Sequence, residues 1–368
     1  MAVSQPLLPL WALEPLAHVL LGAWLFAMGA SVGSFLNVVV YRLPRGMNLV
    51  HPGSHCPQCG HAIRPRDNIP LWGWLWLRAR CRDCQSPIAP RYYYVELVVA
   101  LLFLLVAIFE AYLPRDLHGL PGDFGRLLLT RQQTLPFWCA YATHVVLATT
   151  LIAATLIDFD GCRTPRRLFW PVLLMGLCLP LFWPEIRPLP LGRDLPLVRW
   201  QAGLADGLAG LAAGTALGGI AALGWRTGAR GQAWPKFAPL AMLAAVGVVL
   251  GWQRMLPLVP LATLIHAGVI AISARRQTVF PLAAVVLALA LPQLVESGWN
   301  LPLADIHGRW EQIAAGLSIL GTGLFAWLAG RIAPPQYFAR PDEQPPSSAG
   351  DAVAVDPPLE ASIRYNLP

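Results

Sequence analysis

The sequence has few charged residues for its length. Asp, Glu, Lys and Arg make up 13% of the 368 residues, whereas soluble domains carry about 25%. Apolar residues make up 56%, and they occur in runs of about 20, which is long enough to span a membrane. Buried helices of a soluble core are usually shorter and flanked by amphipathic helices. The composition therefore argues against a large soluble protein and predicts an all-α polytopic membrane protein.

A basic segment is also missing ahead of the first apolar run, so the N-terminus does not resemble a cleaved signal peptide. We expect the first span itself to direct membrane insertion. Gln253 and Arg254 interrupt the apolar pattern near Pro257, and prolines there mark either a tight turn or a kink. The apolar windows predict eight to nine transmembrane helices, near residues 17–41, 93–113, 137–157, 168–184, 201–225, 237–255, 257–274, 279–295 and 312–331.

The net charge of +7 comes largely from Arg residues between the apolar segments. Their position indicates orientation in the membrane and argues against nucleic acid as a partner. Loops after the first, third, fifth and seventh spans are Arg-rich, and the positive-inside rule assigns such alternate loops to the cytoplasm. Three basic residues on the opposite side reduce this bias: Arg187, Arg193 and Arg199.

Two CxxC pairs lie in the basic loop after the first span, Cys56 with Cys59 and Cys81 with Cys84. Four thiolates suit a tetrahedral Zn²⁺ site with no open position, so we expect a structural rather than a catalytic metal. A disulfide is disfavoured in a cytoplasmic loop, and a redox CxxC needs only one pair within a βαβ unit. The other cysteines are read as small packing residues: Cys139, Cys162 and Cys178.

Four stretches surround these pairs: Gly33–Pro44, Asp67–Leu71, Pro87–Tyr92 and Val95–Leu97. In these stretches the chain resembles the type IV prepilin peptidases, and the resemblance continues more loosely at 251–253. It is dense over roughly 30–105. Members of that family are bacterial inner-membrane aspartyl proteases with several transmembrane helices, and they remove the short basic leader of pilin-like precursors on the cytoplasmic side.

The resemblance also implies partners, a methyl donor and a location. The partners would be pilin precursors or type II secretion pseudopilin precursors, together with the lipid bilayer of the bacterial inner membrane. Many members methylate the new N-terminus with S-adenosylmethionine, but the sequence has no recognisable glycine-rich turn for that cofactor. Nothing in the sequence indicates an oligomeric state or a leader-binding surface.

We expect four parts along the chain. Residues 1–42 form the first span, and residues 43–92 form the cytoplasmic zinc-binding loop. Residues 93–332 form the peptidase-like helical domain, and a polar loop at 114–136 interrupts it. The tail at 333–368 is rich in Pro, Ser, Ala and acidic residues, which predicts disorder.

Asp158 is the candidate catalytic carboxylate. It ends the third span, and Pro165 follows seven residues later, as the family motif requires. An aspartyl protease uses two carboxylates that share one proton. Asp160 is a neighbouring acid, and the alternative is that both acids merely mark a membrane boundary.

The second carboxylate of the family motif is missing. The motif GxGDxK reads GQAWPK over 231–236, so Trp234 stands where the acid belongs. An indole NH only donates a hydrogen bond and cannot replace a carboxyl. Residues 207–295 contain no Asp or Glu, and the nearest acid is Asp206 within a span. Asp206 is a weak candidate for a replacement, and a polar contact inside the bundle is its alternative, as it is for His144 and His266.

Three hypotheses remain open from the sequence. The chain is an active prepilin peptidase with an unusual second carboxylate, or a family member that has lost proteolysis and serves as a pilin-binding or assembly scaffold. The third is a membrane transporter, which gives the zinc loop no purpose. Enzyme activity is therefore left undecided by the sequence.

Overall fold

The computed structural model describes residues 10–112, 131–186, 198–228, 238–273, 282–295 and 309–332. Within these residues the regular structure is helical, and pairing between extended segments is limited to two isolated bridges in the loop after the first helix. The α-helices are α1 Leu10–Arg42, α2 Trp72–Trp76, α3 Pro90–Tyr112, α4 Arg131–Phe159, α5 Trp170–Phe182, α6 Arg199–Gly228, α7 Pro239–Leu250, α8 Trp252–Ser273, α9 Leu282–Val295 and α10 Arg309–Ile332.

Five of these helices are long and apolar enough to cross a membrane. Two further apolar segments, Pro239–Leu250 and Leu317–Ala329, are shorter. Each of the nine predicted spans overlaps one of these helices, and the sixth, at 237–255, also covers the first residues of α8. The prediction of an all-α polytopic membrane protein with a four-cysteine loop is therefore confirmed. The five candidate spans are Pro15–Arg42, Pro90–Glu110, Leu135–Phe159, Arg199–Thr227 and Trp252–Ile272.

The break between the sixth and seventh predicted spans lies earlier than expected. The sequence pattern placed it at Pro257, but α7 ends at Leu250 and Gly251 forms the break with a φ of 82°. Glycine reaches positive φ without a Cβ clash. Pro257 and Pro260 instead lie inside α8, as is tolerated where neighbouring helices satisfy the freed backbone groups.

Two predicted non-helical segments fall wholly or mostly outside the described residues. These are the polar loop at 114–136 and the tail at 333–368. Only 131–136 of that loop is described, and it is helical because α4 begins at Arg131. Hydropathy marks the apolar part of a span, whereas helical hydrogen bonding continues through polar turns at its ends.

The chain divides into two compact units, with the boundary inside α3 between Leu104 and Leu105. In the first unit α1 and α3 approach closely at two glycines. A Cβ on Gly29 would lie 2.8 Å from the Cα of Ala100, and a Cβ on Gly33 would lie 2.7 Å from the Cα of Glu96. Small residues allow such backbone approach between membrane helices.

In the second unit α6 is the central helix and packs against α5, α7, α8 and α10. Its contact with α7 also depends on glycine, since a Cβ on Gly247 would lie 3.2 Å from the Cα of Gly214 and would meet the carbonyl oxygen of Gly210. The α4 helix packs against α5, α7 and α9. Close helix packing therefore fixes where the polar side chains of the spans meet.

We expect Gly33→Ala to destabilise the first unit by about 1–3 kcal/mol, the usual cost of overpacking. The added methyl would collide with the backbone of α3, which cannot rotate away. The measurement is the thermal unfolding midpoint in detergent. Gly22→Ala is the matched control, because its Cβ would meet only the side-chain tip of Leu104, at 3.4 Å. Equal midpoints for the two variants would contradict this account of the helix contact.

Candidate metal centre and candidate peptidase site

The two cysteine pairs form turns of the same construction. In the first, the Gly60 N–H donates to the carbonyl of Cys56 at 2.8 Å, and the Cys56 N–H donates to the carbonyl of His61 at 2.9 Å. In the second, the Gln85 N–H donates to the carbonyl of Cys81 at 3.0 Å, and the Cys81 N–H donates to Ser86 at 2.8 Å. The two turns, which we call knuckles, therefore have the same hydrogen-bond pattern.

The four thiols meet at a single point. The Sγ atoms of the four cysteines all lie within 4.8 Å of one another, and those of Cys56 and Cys84 are 3.8 Å apart. A tetrahedral zinc site with Zn–S bonds of about 2.3 Å requires sulfurs about 3.8 Å apart. No cysteine in the described residues is part of a disulfide. The four residues thus provide the donor set and the approximate spacing of a four-thiolate zinc site.

The environment of Cys84 favours its thiolate form. The Ser86 Oγ lies 3.0 Å from the Cys84 Sγ. Hydrogen bonds from the Ser86 side chain and backbone lower the pKa of this thiol to about 6. Metals bind the thiolate rather than the thiol.

An ion pair connects the second knuckle to the segment ahead of α2. Arg82 lies between Cys81 and Cys84, and its Nε and Nη2 donate to the two carboxylate oxygens of Asp67 at 2.7 and 2.5 Å. The Asp67 side chain is only 5% exposed. Hydrogen bonds from Arg82 hold the pKa of the Asp67 carboxyl below its usual range. The matching stretch Asp67–Leu71 therefore supports the metal loop.

The end of the stretch Asp67–Leu71 is hydrogen-bonded to α3. The Leu71 N–H donates to Glu96 Oε2 at 2.6 Å, and the Trp74 Nε1 donates to the carbonyl of Ile88 at 3.2 Å. Neither Glu96 nor Arg82 had been assigned a role from the sequence. Their partners are 25 and 15 residues away, so no local motif identifies these contacts.

Asp158, the candidate catalytic carboxylate, and its neighbour Asp160 have different surroundings. Asp158 is buried, whereas Asp160 is exposed. Helix α4 ends just after Asp158 in a Schellman motif, in which the Gly161 N–H donates to Asp158 O at 3.0 Å and the Cys162 N–H donates to Ile157 O at 3.1 Å. Gly161 has the positive φ of 69° that this motif needs.

The turn brings a buried hydroxyl to the carboxylate. Thr164 is 3% exposed, and its Oγ1 donates a hydrogen bond to Asp158 Oδ1. Within the described residues the Thr164 hydroxyl is the hydrogen-bond donor seen at the Asp158 carboxylate. Thr164 directly precedes Pro165 of the motif, but a single threonine at that place gives no sequence signal for this contact.

Asp206 lies on α6 at the break between α7 and α8. It is 1% exposed, and a Cβ on Gly251 would be 3.9 Å from Asp206 Oδ1 and 3.4 Å from Gln253 Oε1. Asp206 is thus part of a polar cluster inside the second unit. Trp234 and the motif over 231–236 lie outside the described residues.

The two histidines in the spans have buried surroundings. His144 on α4 contacts Glu110 of α3 through a hydrogen bond from Nδ1 to Oε1, and both side chains are almost fully buried. The predicted contact within the bundle is therefore confirmed for His144, with a partner that the sequence did not reveal. His266 packs against the Trp225 ring with centroids 5.4 Å apart.

Comparison with known proteins identifies peptidases as relatives of this chain. The family model of the bacterial peptidase A24 N-terminal domain matches residues 27–109. A prepilin leader peptidase/N-methyltransferase of Aeromonas hydrophila is 33% identical over 270 residues, which cover 66% of this chain and 77% of that protein. The protein of the same description from Pseudomonas aeruginosa is 33% identical over 300 residues, covering 74% and 87%. No solved structure matches the chain.

We expect one zinc ion per chain after purification under reducing conditions, measured by elemental analysis. Cys84→Ser should remove most of the metal because it leaves three thiolates. Cys178→Ser is the control, since that cysteine lies outside the cluster, and it should retain full zinc content. A metal-free wild type, or equal metal in the two variants, would rule out the site.

We expect Asp67→Asn to loosen the metal loop at neutral pH and to increase its rate of trypsin cleavage several-fold. The carboxylate has a lowered pKa in the folded loop, so its contribution is complete above the ordinary value of about 3.9 and is lost as the pH falls through the lowered pKa. Asp83→Asn is the control, because Asp83 meets the half-exposed Arg64 at 3.4 Å and such pairs contribute little. Equal cleavage of both variants at pH 7 would contradict the role of Asp67.

Proposed function

Since the chain belongs to the prepilin leader peptidase/N-methyltransferase family, we propose that it binds the leader of pilin or pseudopilin precursors at a peptidase-type site that has lost hydrolysis. The observation that carries the proposal is the surroundings of Asp158. Its carboxylate receives a hydrogen bond from a threonine hydroxyl. The stretch that would supply a second carboxylate, residues 207–295, contains no Asp or Glu.

The chemistry explains why one carboxylate is insufficient. In an aspartyl protease one carboxylate takes a proton from the attacking water while the other, protonated, donates to the scissile carbonyl. Asp158 alone, held by Thr164, is suited to the first role. Without the second group the developing oxyanion receives no proton, and general acid–base catalysis is worth about 10²–10⁴-fold in rate.

A second function is favoured by one observation. Asp206 is buried within a candidate span, and ionisable residues in such positions are frequently functional. An active peptidase that uses Asp206 as its other carboxylate is therefore the alternative. It requires Asp206 to come within hydrogen-bonding or one-water reach of Asp158 when the precursor binds.

We further propose that the chain resides in the bacterial inner membrane with the zinc loop in the cytoplasm. The Arg-rich loops support this orientation, and reduced thiols suit a cytoplasmic zinc site. Zinc would hold the loop in shape through its four cysteines and take no part in peptide hydrolysis. The relatives' description includes methyl transfer, for which S-adenosylmethionine would be the methyl donor, although the sequence has no recognisable glycine-rich turn for that cofactor.

The wild-type protein should bind a pilin precursor in detergent without removing its leader. Restoring the motif with Ala233→Gly and Trp234→Asp should produce measurable cleavage, because it returns the second carboxylate. Adding Asp158→Asn to that variant should abolish cleavage again. The readouts are precursor pull-down and the mass of the processed product.

Three outcomes would overturn the proposal. Failure of the wild type to bind the precursor would remove the leader-binding function. Leader removal by the wild type, lost in Asp158→Asn, would show that hydrolysis survives. If Asp206→Asn abolished that cleavage as well while the protein kept its unfolding midpoint, the alternative with Asp206 would replace our proposal.

A further inference from the structure

Helix α2 of the metal loop has an exposed apolar surface with two tryptophans. Trp72 is 62% exposed and Trp76 is 71% exposed, and residues four apart lie on the same side of a helix. Leu75 and Ile69 are exposed beside them. We call these four residues the α2 face. Gly73, in contrast, is buried against the carbonyl of Asp67.

Helix α2, which carries this face, lies beside the first turns of α3. The Leu71 N–H is bonded to Glu96 Oε2, and the rings of Trp74 and Tyr93 have centroids 5.1 Å apart. Glu96 is six residues after Pro90, where the candidate span begins, which corresponds to about 9 Å along the helix. Helix α2 therefore lies beside the N-terminal end of this candidate span, which would place it near the depth of a bilayer surface.

The chemistry of the α2 face matches that depth. Tryptophan concentrates at the boundary between water and lipid, where its ring is in an apolar region and its NH remains near polar groups. Exposed arginines follow the face on the chain at Arg78 and Arg80, and Arg91 is exposed in the first turn of α3. Such residues attract the anionic headgroups of a bilayer.

We propose that the α2 face is embedded in the headgroup region of the bilayer and docks the metal loop on the membrane surface. The partner is the lipid interface, including its anionic headgroups. The proposal is independent of peptide hydrolysis, because it rests on residues of the first unit alone. Two other occupants, a segment of the second unit and a precursor peptide, are outcomes of the test.

The first experiment places a photo-crosslinking residue, p-benzoylphenylalanine, at position 76 of the full-length protein. The protein is reconstituted in nanodiscs of phosphatidylethanolamine and phosphatidylglycerol at about 3:1, irradiated, and analysed by mass spectrometry. Position 64 is the control, because Arg64 is exposed on the same loop but outside the α2 face. We expect lipid adducts at least fivefold more abundant at 76 than at 64. Adducts to protein at 76, or equal lipid adducts at both positions, would overturn the proposal.

The second experiment separates docking from folding of the loop. Trp72→Ser with Trp76→Ser should increase trypsin cleavage after Arg78 and Arg80 several-fold in the same nanodiscs. Trp72→Tyr with Trp76→Tyr should leave the cleavage rate unchanged, since tyrosine also prefers the interface. Zinc content reports that the loop is folded in both variants. Retained zinc with equal cleavage rates in the Ser pair and the wild type would overturn the proposal, as would equal acceleration in the Tyr pair.

Discussion

The absence of water inside a bilayer is the constraint that organises this structure. Backbone groups in the spans must be satisfied within helices, and a buried polar side chain must find a partner in the protein. Thr143, Thr149 and Thr263 do so by donating to carbonyls of the preceding turn of their own helix. His144 uses Glu110 across two helices, and Asp158 is met by Thr164 at a helix end. The candidate site thus follows the same rule as the rest of the bundle.

How much of the structure could be predicted from the sequence depends on how far apart in the chain the interacting residues are. Long apolar runs identify the spans, and the repeated CxxC spacing identifies the metal cluster, because both patterns are local. The break at Gly251 was misplaced at Pro257 because a single glycine with positive φ leaves a weaker mark than two prolines. The pairs Glu110–His144 and Arg82–Asp67 join residues 34 and 15 apart. No spacing pattern in the sequence predicts contacts between residues so far apart.

The candidate peptidase site illustrates how a motif can be partly retained. The buried Asp158 and the exposed Asp160 have different surroundings although they are two residues apart, because the Schellman turn directs one inward and the other outward. That turn and the Thr164 hydroxyl are present in a chain whose GxGDxK motif reads GQAWPK and so lacks its acid. A chain that lacks the second acid of the motif therefore still provides a buried, hydrogen-bonded carboxylate at Asp158, as the proposed binding site requires.

The repetition of the two knuckles has a mechanical consequence. Neither knuckle provides more than two sulfurs, so a metal bound by all four would act as a cross-link between segments 25 residues apart. The chain from Cys59 to Cys81 would then be a closed ring, and α2 lies within it. Closing a ring removes conformational freedom from everything inside it. A metal ion that touches no residue of α2 would thereby restrict the orientations in which its two exposed tryptophans can be presented.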